Sequence, residues 1–230
     1  MKTVLITGVS GGIGKGTALL LLNEGYRVIG ISRTPSGISH NFFSEHIMNL
    51  ENISQLKETV LQINKETPVD ILINNAGCAY YGLHEEQNPN KIQEMVTVNL
   101  TVPMVLSNLL LRHFKKNKGT IINISSVTAT GSSPHGAAYA ATKAGLSSFG
   151  KSIFDEARKY GVKVITIEPD MTDTGLYRNA DFEADTSEGC CLFPDEVAKM
   201  ISGLLKYPDT IVPASLTVKP IYHRIRRKQV

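Results

Sequence analysis

Thr7-Gly8-Val9-Ser10-Gly11-Gly12-Ile13-Gly14 decides the fold. Ahead of it, Lys2-Thr3-Val4-Leu5-Ile6 reads as a strand, and a helix-length segment follows over Ile13–Asn23. Glycines between a strand and a helix permit a tight turn and bring the backbone close to a pyrophosphate. The helix N-terminus then presents free N–H groups and the positive end of its dipole. A glycine loop alone is a weak signal; the strand before it and the helix after it give it weight.

Outward from the loop the same alternation continues. Apolar runs at Val4–Ile6, Val28–Ile31, Ile71–Ile73, Thr120–Ile124 and Val162–Ile167 read as buried parallel strands. Helix-length segments lie between them at Ile13–Asn23, Ile53–Asn64, Lys91–Phe114 and Tyr139–Lys159. Gly25 and Gly161 stand where helices stop, and Gly119 separates a helix from the strand after it. This pattern predicts an α/β, doubly wound, Rossmann-type three-layer fold with a mostly parallel sheet. Two stretches break the rhythm. Thr34–Asn41 is a Pro/Ser/Gly-bearing loop, and Asp170–Pro194 is long, irregular and of mixed polarity. The second follows the carboxyl end of a strand, where ligands bind in such sheets, and reads as a lid.

The 230 residues suit one domain spanning 1–230, with a substrate-loop insertion near 170–194. A hydrophobic share of 42% allows a sizeable core, and a net charge of +3 is too small to argue for nucleic acid. Cys78, Cys190 and Cys191 have no disulfide or metal-ligand spacing, so no metal is expected. A strand begins at once, with no room for a cleavable leader. No apolar run approaches the roughly 20 residues of a membrane helix. The expectation is a cytoplasmic protein with no membrane partner.

Thr-Gly-x-x-x-Gly-x-Gly is not the simple Gly-x-Gly-x-x-Gly spacing. It resembles the fingerprint of the short-chain dehydrogenase/reductase family, in its compact single-domain branch. The further matches come in order: Asn74-Asn75-Ala76-Gly77, Asn99, Ser126, and Tyr139-x-x-x-Lys143, all between residue 3 and about residue 174. The resemblance implies a seven-stranded sheet, a nicotinamide cofactor, a small carbonyl or alcohol substrate, and a homodimer or homotetramer. It places the cofactor against Gly8, Ser10, Gly11, Gly12, Ile13 and Gly14. Asn49 and Leu50 would flank the adenine, and Asn75, Ala76 and Gly77 would lie by the ribose. For Asn74, a loop-tying role is at least as well supported as ligand contact.

The end of the second strand selects the cofactor. NAD enzymes carry an acid there for the ribose hydroxyls, and NADP enzymes accommodate a 2′-phosphate with arginine. Here Ser32-Arg33-Thr34 offers a guanidinium and two hydroxyls with no neighbouring acid. NADP(H) is therefore preferred, with NAD(H) possible. Lys15 reads as solvated.

Tyr139 and Lys143 are i and i+4, on one helix face. A free tyrosine has a pKa of about 10. At about 5 Å and an effective dielectric of about 20, an ammonium stabilises the phenolate by roughly 3 kcal/mol, or about two pKa units. Ser126 stands 13 residues earlier at a strand end, and Asn99 a further 27 residues back. By resemblance, Tyr139 is the acid/base, and Ser126 polarises the substrate oxygen. Lys143 tunes Tyr139 and binds the nicotinamide ribose, while Asn99 holds a water linking Lys143 to solvent. Tyr139 and Lys143 thus count as cofactor contacts as well.

After the sixth strand the family usually has Pro-Gly; here Pro169-Asp170 stands, with Thr172 and Thr174 as candidates for holding the carboxamide. His135, Tyr80, Tyr81, Tyr177, Phe182, Cys190, Cys191 and Phe193 lie on loops that should face the substrate. The basic tail Tyr222–Lys228 reads as solvated or disordered. The leading expectation is carbonyl reduction with NADPH. The alternative is a non-catalytic NADP(H)-sensing interaction module on the same fold, and the complete Ser126, Tyr139 and Lys143 set weighs against it.

Overall fold

A computed structural model describes residues 1–228. Its strands are β1 Thr3–Thr7, β2 Arg27–Ser32, β3 Phe43–Ile47, β4 Ile71–Asn74, β5 Thr120–Ile124, β6 Lys163–Pro169, β7 Phe182–Ala184, β8 Ser215–Val218 and β9 Ile225–Arg227. Its α-helices are α1 Gly12–Asn23, α2 Ile53–Glu66, α3 Pro89–Val96, α4 Val102–Asn117, α5 Ala137–Ala157 and α6 Pro194–Leu205. Seven strands form one sheet in the order β3-β2-β1-β4-β5-β6-β8. Every pairing in it is parallel, where a mostly parallel sheet was expected.

The strands are apolar on both faces because both faces are covered. Val4 and Ile6 pack towards Ala18, Leu21 and Leu22 of α1 and Val197, Ile201 and Leu204 of α6. Leu5 between them points the other way, into a layer with Leu56 and Val60 of α2 and Leu106, Leu110 and Phe114 of α4. Each fully buried side chain of this size stabilises by about 1.5–3 kcal/mol, so these alternating positions set the strand faces. The order of strand addition reverses between β1 and β4, and the carboxyl ends of the strands there open the cleft described below.

Four features were not legible from periodicity. β3 is an edge strand with polar Ser44, Glu45 and His46, so it carries no apolar run. α6 and β8 complete one side of the sheet beyond the last strand read from the sequence. The helix expected over Lys91–Phe114 is three pieces: α3, a π-helical turn at Thr97–Thr101, and α4. Pro103 has no N–H for the carbonyl of Asn99 four residues back, and its ring crowds that carbonyl; the wider turn relieves both. The combined stretch Pro89–Asn117 is long and apolar enough by composition to cross a membrane, though no continuous apolar run stood out in the sequence. Here it is a core helix, with Leu106, Leu110 and Phe114 fully buried.

The basic tail is not a loose end. β9 pairs antiparallel with β7, joining residues 225–227 to 182–184. Arg226 reaches Asp185 at 2.6 Å and Lys228 Nζ donates to the Tyr177 carbonyl at 2.7 Å. The tail is exposed, as expected, but it is ordered: it is a strap laid over the 170–194 segment.

Candidate active site

The glycine loop is fixed by sterics and by one side chain. Gly8 has φ +77°, a left-handed conformation that favours glycine. A Cβ on Gly14 would lie 2.3 Å from the Gly8 carbonyl oxygen, so no larger residue fits there without a shift. Asn75 Nδ2 donates to the carbonyls of Thr7 and Gly8 at 2.8 and 3.2 Å, tying the loop to the end of β4. Thr7 Oγ1 accepts from the backbone N–H groups of Asn75 and Ala76. No side chain caps the first turn of α1. Its amides stay open towards a cleft of about 460 Å³ that runs from Ser32, Arg33, Thr34, Asn49 and Leu50 past the loop to Ser126, Tyr139 and Lys143. An open helix N-terminus over a cradle that admits only glycine fits a dinucleotide pyrophosphate.

All but two of the sequence-derived site residues line this cleft: Gly8, Ser10, Gly11, Gly12, Ile13, Ser32, Arg33, Thr34, Asn49, Leu50, Asn75, Ala76, Gly77, Ser126, Tyr139, Lys143, Pro169, Thr172 and Thr174 border it, while Gly14 packs behind the loop against Gly8 and Asn99 lies deeper. Asn99 is fully buried and does not border the cleft. Its amide brackets Cys78, accepting from the Cys78 N–H and donating to the Cys78 carbonyl, both at 2.9 Å, and it also donates to Thr142 Oγ1. The special reason for an Asn in mid-helix is therefore the π turn, which aims its amide at the chain after Gly77. Asn74 neither borders the cleft nor ties a loop: it donates to Asn123 Oδ1 at 2.8 Å, linking β4 to β5 inside the sheet.

Ser125 and Ser126 separate by partner. Ser125 Oγ is consumed within the fold, donating to the Lys143 carbonyl at 3.0 Å and lying 2.8 Å from Ser147 Oγ. Ser126 Oγ accepts from Thr128 N and Oγ1, capping a short turn, and borders the cleft together with Tyr139. Cap and cleft roles thus coincide on one hydroxyl. Lys143 Nζ donates to the Ile124 carbonyl at 2.8 Å and stands 5.7 Å from the Tyr139 ring centre.

The electrostatics correct one expectation. Lys143 does not pull Tyr139 towards the phenolate in the protein by itself. Burial pushes the Tyr139 phenol well up, the Tyr177 phenol adds to this, and the Ser126 hydroxyl only partly opposes it. Burial also lowers Lys143 to about 8. Desolvation dominates at both groups because both side chains are buried.

Two further expectations change. Ser32 has no acidic neighbour in sequence, yet Glu94 brings a carboxylate into the same cleft from α3 and pairs with Arg33 at 3.4 Å. Glu94 gave no sequence signal, since an acid three residues after Lys91 reads as an ordinary surface pair. Lys15 is not solvated: its Nζ donates to the Ser36 carbonyl at 2.7 Å and anchors the loop after β2.

On the substrate side, Tyr177 borders the cleft, stacks on Tyr81 and meets Phe182 at a tilt, while Tyr81 meets Phe182 edge-on and also Tyr139. Cys190 and Cys191 are buried free thiols within the 170–194 segment and do not border the cleft, and Tyr80 bonds Glu94. Phe193 stands at the start of α6, partly exposed. His135 is exposed on a left-handed turn and does not border the cleft. Asp170 needs no left-handed backbone, and His223 of the tail meets its carboxylate at 3.1 Å.

Comparison with known proteins agrees with this geometry. The family model described as short chain dehydrogenase matches residues 2–184. The 3-oxoacyl-(acyl-carrier-protein) reductase FabG of Vibrio harveyi is 34% identical over 197 residues, covering 80% of each chain. A benzil reductase ((S)-benzoin forming) of Bacillus cereus is 33% identical, over 90% of this chain and 94% of its own. Among solved structures, ElxO with NADP bound superposes with a TM-score of 0.84 at 27% identity, over 94% of this chain and 96% of its own. An alcohol dehydrogenase of Thermococcus sibiricus complexed with 5-hydroxy-NADP has the same fold, at TM-score 0.86 and 24% identity, over 97% of this chain and 98% of that one. With a family match across most of its length, on a parallel sheet that carries the glycine loop and Tyr139 with Lys143 in one cleft, this chain belongs to the short-chain dehydrogenase family of oxidoreductases.

Proposed function

We propose that this protein is an NADPH-dependent reductase of a small carbonyl compound, with Tyr139 as the proton donor, working as one domain over residues 1–230 and as a homodimer or homotetramer. The observation that carries the reading is the convergence of Ser126, Tyr139 and Lys143 with the glycine loop on a single cleft. A nicotinamide cofactor held there supplies hydride to the carbonyl carbon. Backbone amides at the start of α1 would hold its pyrophosphate, and Arg33 with Ser32 and Thr34 would hold a 2′-phosphate. Asn49, Leu50, Asn75, Ala76 and Gly77 bound the adenosine and ribose, and Pro169, Thr172 and Thr174 bound the carboxamide.

The chain's own groups then do the rest. Ser126 Oγ and the Tyr139 hydroxyl hold the substrate oxygen between them, favouring the negative charge that develops on it. Tyr139 delivers its proton to that oxygen. Burial holds the phenol above its ordinary range, so it carries the proton it delivers at neutral pH. Lys143, charged below about pH 8, stabilises the phenolate that remains. Asn99 holds the Cys78 backbone in place beside Lys143, as a positioning residue.

The relatives support the substrate class: a 3-oxoacyl reductase and a benzil reductase both act on ketones by name. Tyr81, Tyr177 and Phe182 beside Tyr139 favour a substrate with an apolar or aromatic body next to its carbonyl. The test follows NADPH absorbance against a panel of aryl ketones, diketones and 3-oxoacyl thioesters. Tyr139→Phe is expected to lose about 10²–10⁴-fold in kcat while binding NADPH normally. Equal turnover by the two proteins refutes the role of Tyr139. NADPH binding with no turnover on any substrate returns the sensing module.

A further inference from the structure

Arg33 is not alone at its end of the cleft. Glu94 is 93% buried, reaches it from α3, and pairs through Oε1 with Arg33 Nη1 at 3.4 Å. Its other oxygen accepts from Lys91 Nζ at 3.0 Å and from the Tyr80 hydroxyl at 2.9 Å. Glu94 borders the same cleft as Arg33, Ser32 and Thr34. Burial alone would push its carboxyl up, but the hydrogen bonds from Lys91 and Tyr80 and the charges of Lys91 and Arg33 outweigh it and hold it low. The carboxylate is therefore charged at neutral pH.

We propose that Glu94 is a specificity-determining residue that weakens the preference for 2′-phosphorylated over unphosphorylated dinucleotides by acting as a standing counter-ion of Arg33. The inference rests on the reading that Arg33 meets the 2′-phosphate. A phosphate placed on Arg33 must share that guanidinium with a fixed anion, and two anions on one cation repel. An unphosphorylated ribose brings no charge, and its hydroxyl can donate to a carboxylate, so Glu94 imposes no such cost on it. The acid that NAD-binding members carry beside the second strand is absent at Ser32. A carboxylate from another layer of the fold stands in the same cleft instead. Lys91 moderates the effect by neutralising part of the Glu94 charge.

The test is the dissociation constant of NADP⁺ and of NAD⁺, measured by calorimetry on the purified protein and on Glu94→Gln, Lys91→Ala and Arg33→Ala. Glu94→Gln keeps the shape and the Tyr80 contact. It is expected to tighten NADP⁺ by about fivefold, the scale of one shared surface charge, with NAD⁺ unchanged. Lys91→Ala, on an exposed side chain, is expected to weaken NADP⁺ by about two- to threefold and spare NAD⁺. An NADP⁺ constant that is unchanged or weaker in Glu94→Gln, or a gain shared equally by NAD⁺, overturns the proposal. So does tighter or unchanged NADP⁺ binding in Lys91→Ala, which covers the case of a Glu94→Gln protein that does not fold. Arg33→Ala separates the two readings. If it leaves NADP⁺ binding unaltered, the Arg33 assignment itself fails, whatever Glu94 does.

Discussion

The two walls of the cleft are built by different means. On the cofactor side, Thr7–Gly14 is held by contacts within one strand–loop–helix unit and by Asn75 at the end of the neighbouring strand. On the substrate side, the 170–194 segment has only a short 3₁₀ turn at Gly175–Asn179 and the three-residue β7. It is held by the tail through β9, Arg226 and Lys228, from some 40 residues further along the chain. The first wall is a rigid consequence of sterics. The second is a composite whose geometry depends on a distant strap. Variation in what the cleft reduces can therefore be confined to the lid, while the cofactor wall stays constant.

That division can be broken at either wall. The largest effect is expected for Gly14→Ala. The added Cβ meets the Gly8 carbonyl at 2.3 Å, so the loop must move. Overpacking of this kind costs about 1–3 kcal/mol, and the displaced loop should lose cofactor affinity as well. Thermal melting and NADPH titration together check this; a normal melting temperature with normal NADPH affinity would show that the loop is not rigid.

Next in size, a chain ending at Pro220 lacks β9 and the Arg226 and Lys228 contacts. KM for a ketone substrate is expected to rise on the order of tenfold, ~1.4 kcal/mol, with NADPH affinity unchanged. Steady-state kinetics beside calorimetry decide it. An equal loss of NADPH affinity would mean that the two walls are not independent.

The smallest effect is the pH dependence. Lys143 is lowered to about 8 by burial, so it is charged below that pH and neutral above it. If the charged form stabilises the phenolate left on Tyr139, kcat for reduction should be level below about pH 8 and fall above it. A profile level to pH 10 would remove Lys143 from the proton-transfer step.

The legibility of the two walls in sequence follows the same division. Gly8, Gly14 and the Tyr139–Lys143 pair were readable because their constraints act over a few residues or one helical turn, whereas Asn75 was read from resemblance and reaches Thr7 and Gly8 across 67–68 residues. Ser126 was separable from Ser125 only by spacing; the structure adds the reason, since Ser125 is spent on the Lys143 carbonyl and Ser147. The edge strand β3 was hidden because a polar edge needs no apolar run. The tail read as solvated because charge at a chain end predicts nothing about a pairing partner 40 residues away.

By itself the sequence determined the layer order of strands and helices, the glycine cradle, and which tyrosine and lysine share a helix face. These depend on side-chain periodicity, on Cβ sterics and on i,i+4 geometry, all local properties. Only the tertiary structure decided that Glu94 reaches Arg33, that β9 straps the lid, and that the Tyr139 phenol is raised rather than depressed. Each of these is set by what is packed around a group from distant parts of the chain. Ion pairing and desolvation grow as water is excluded, and that exclusion exists only once the layers have closed.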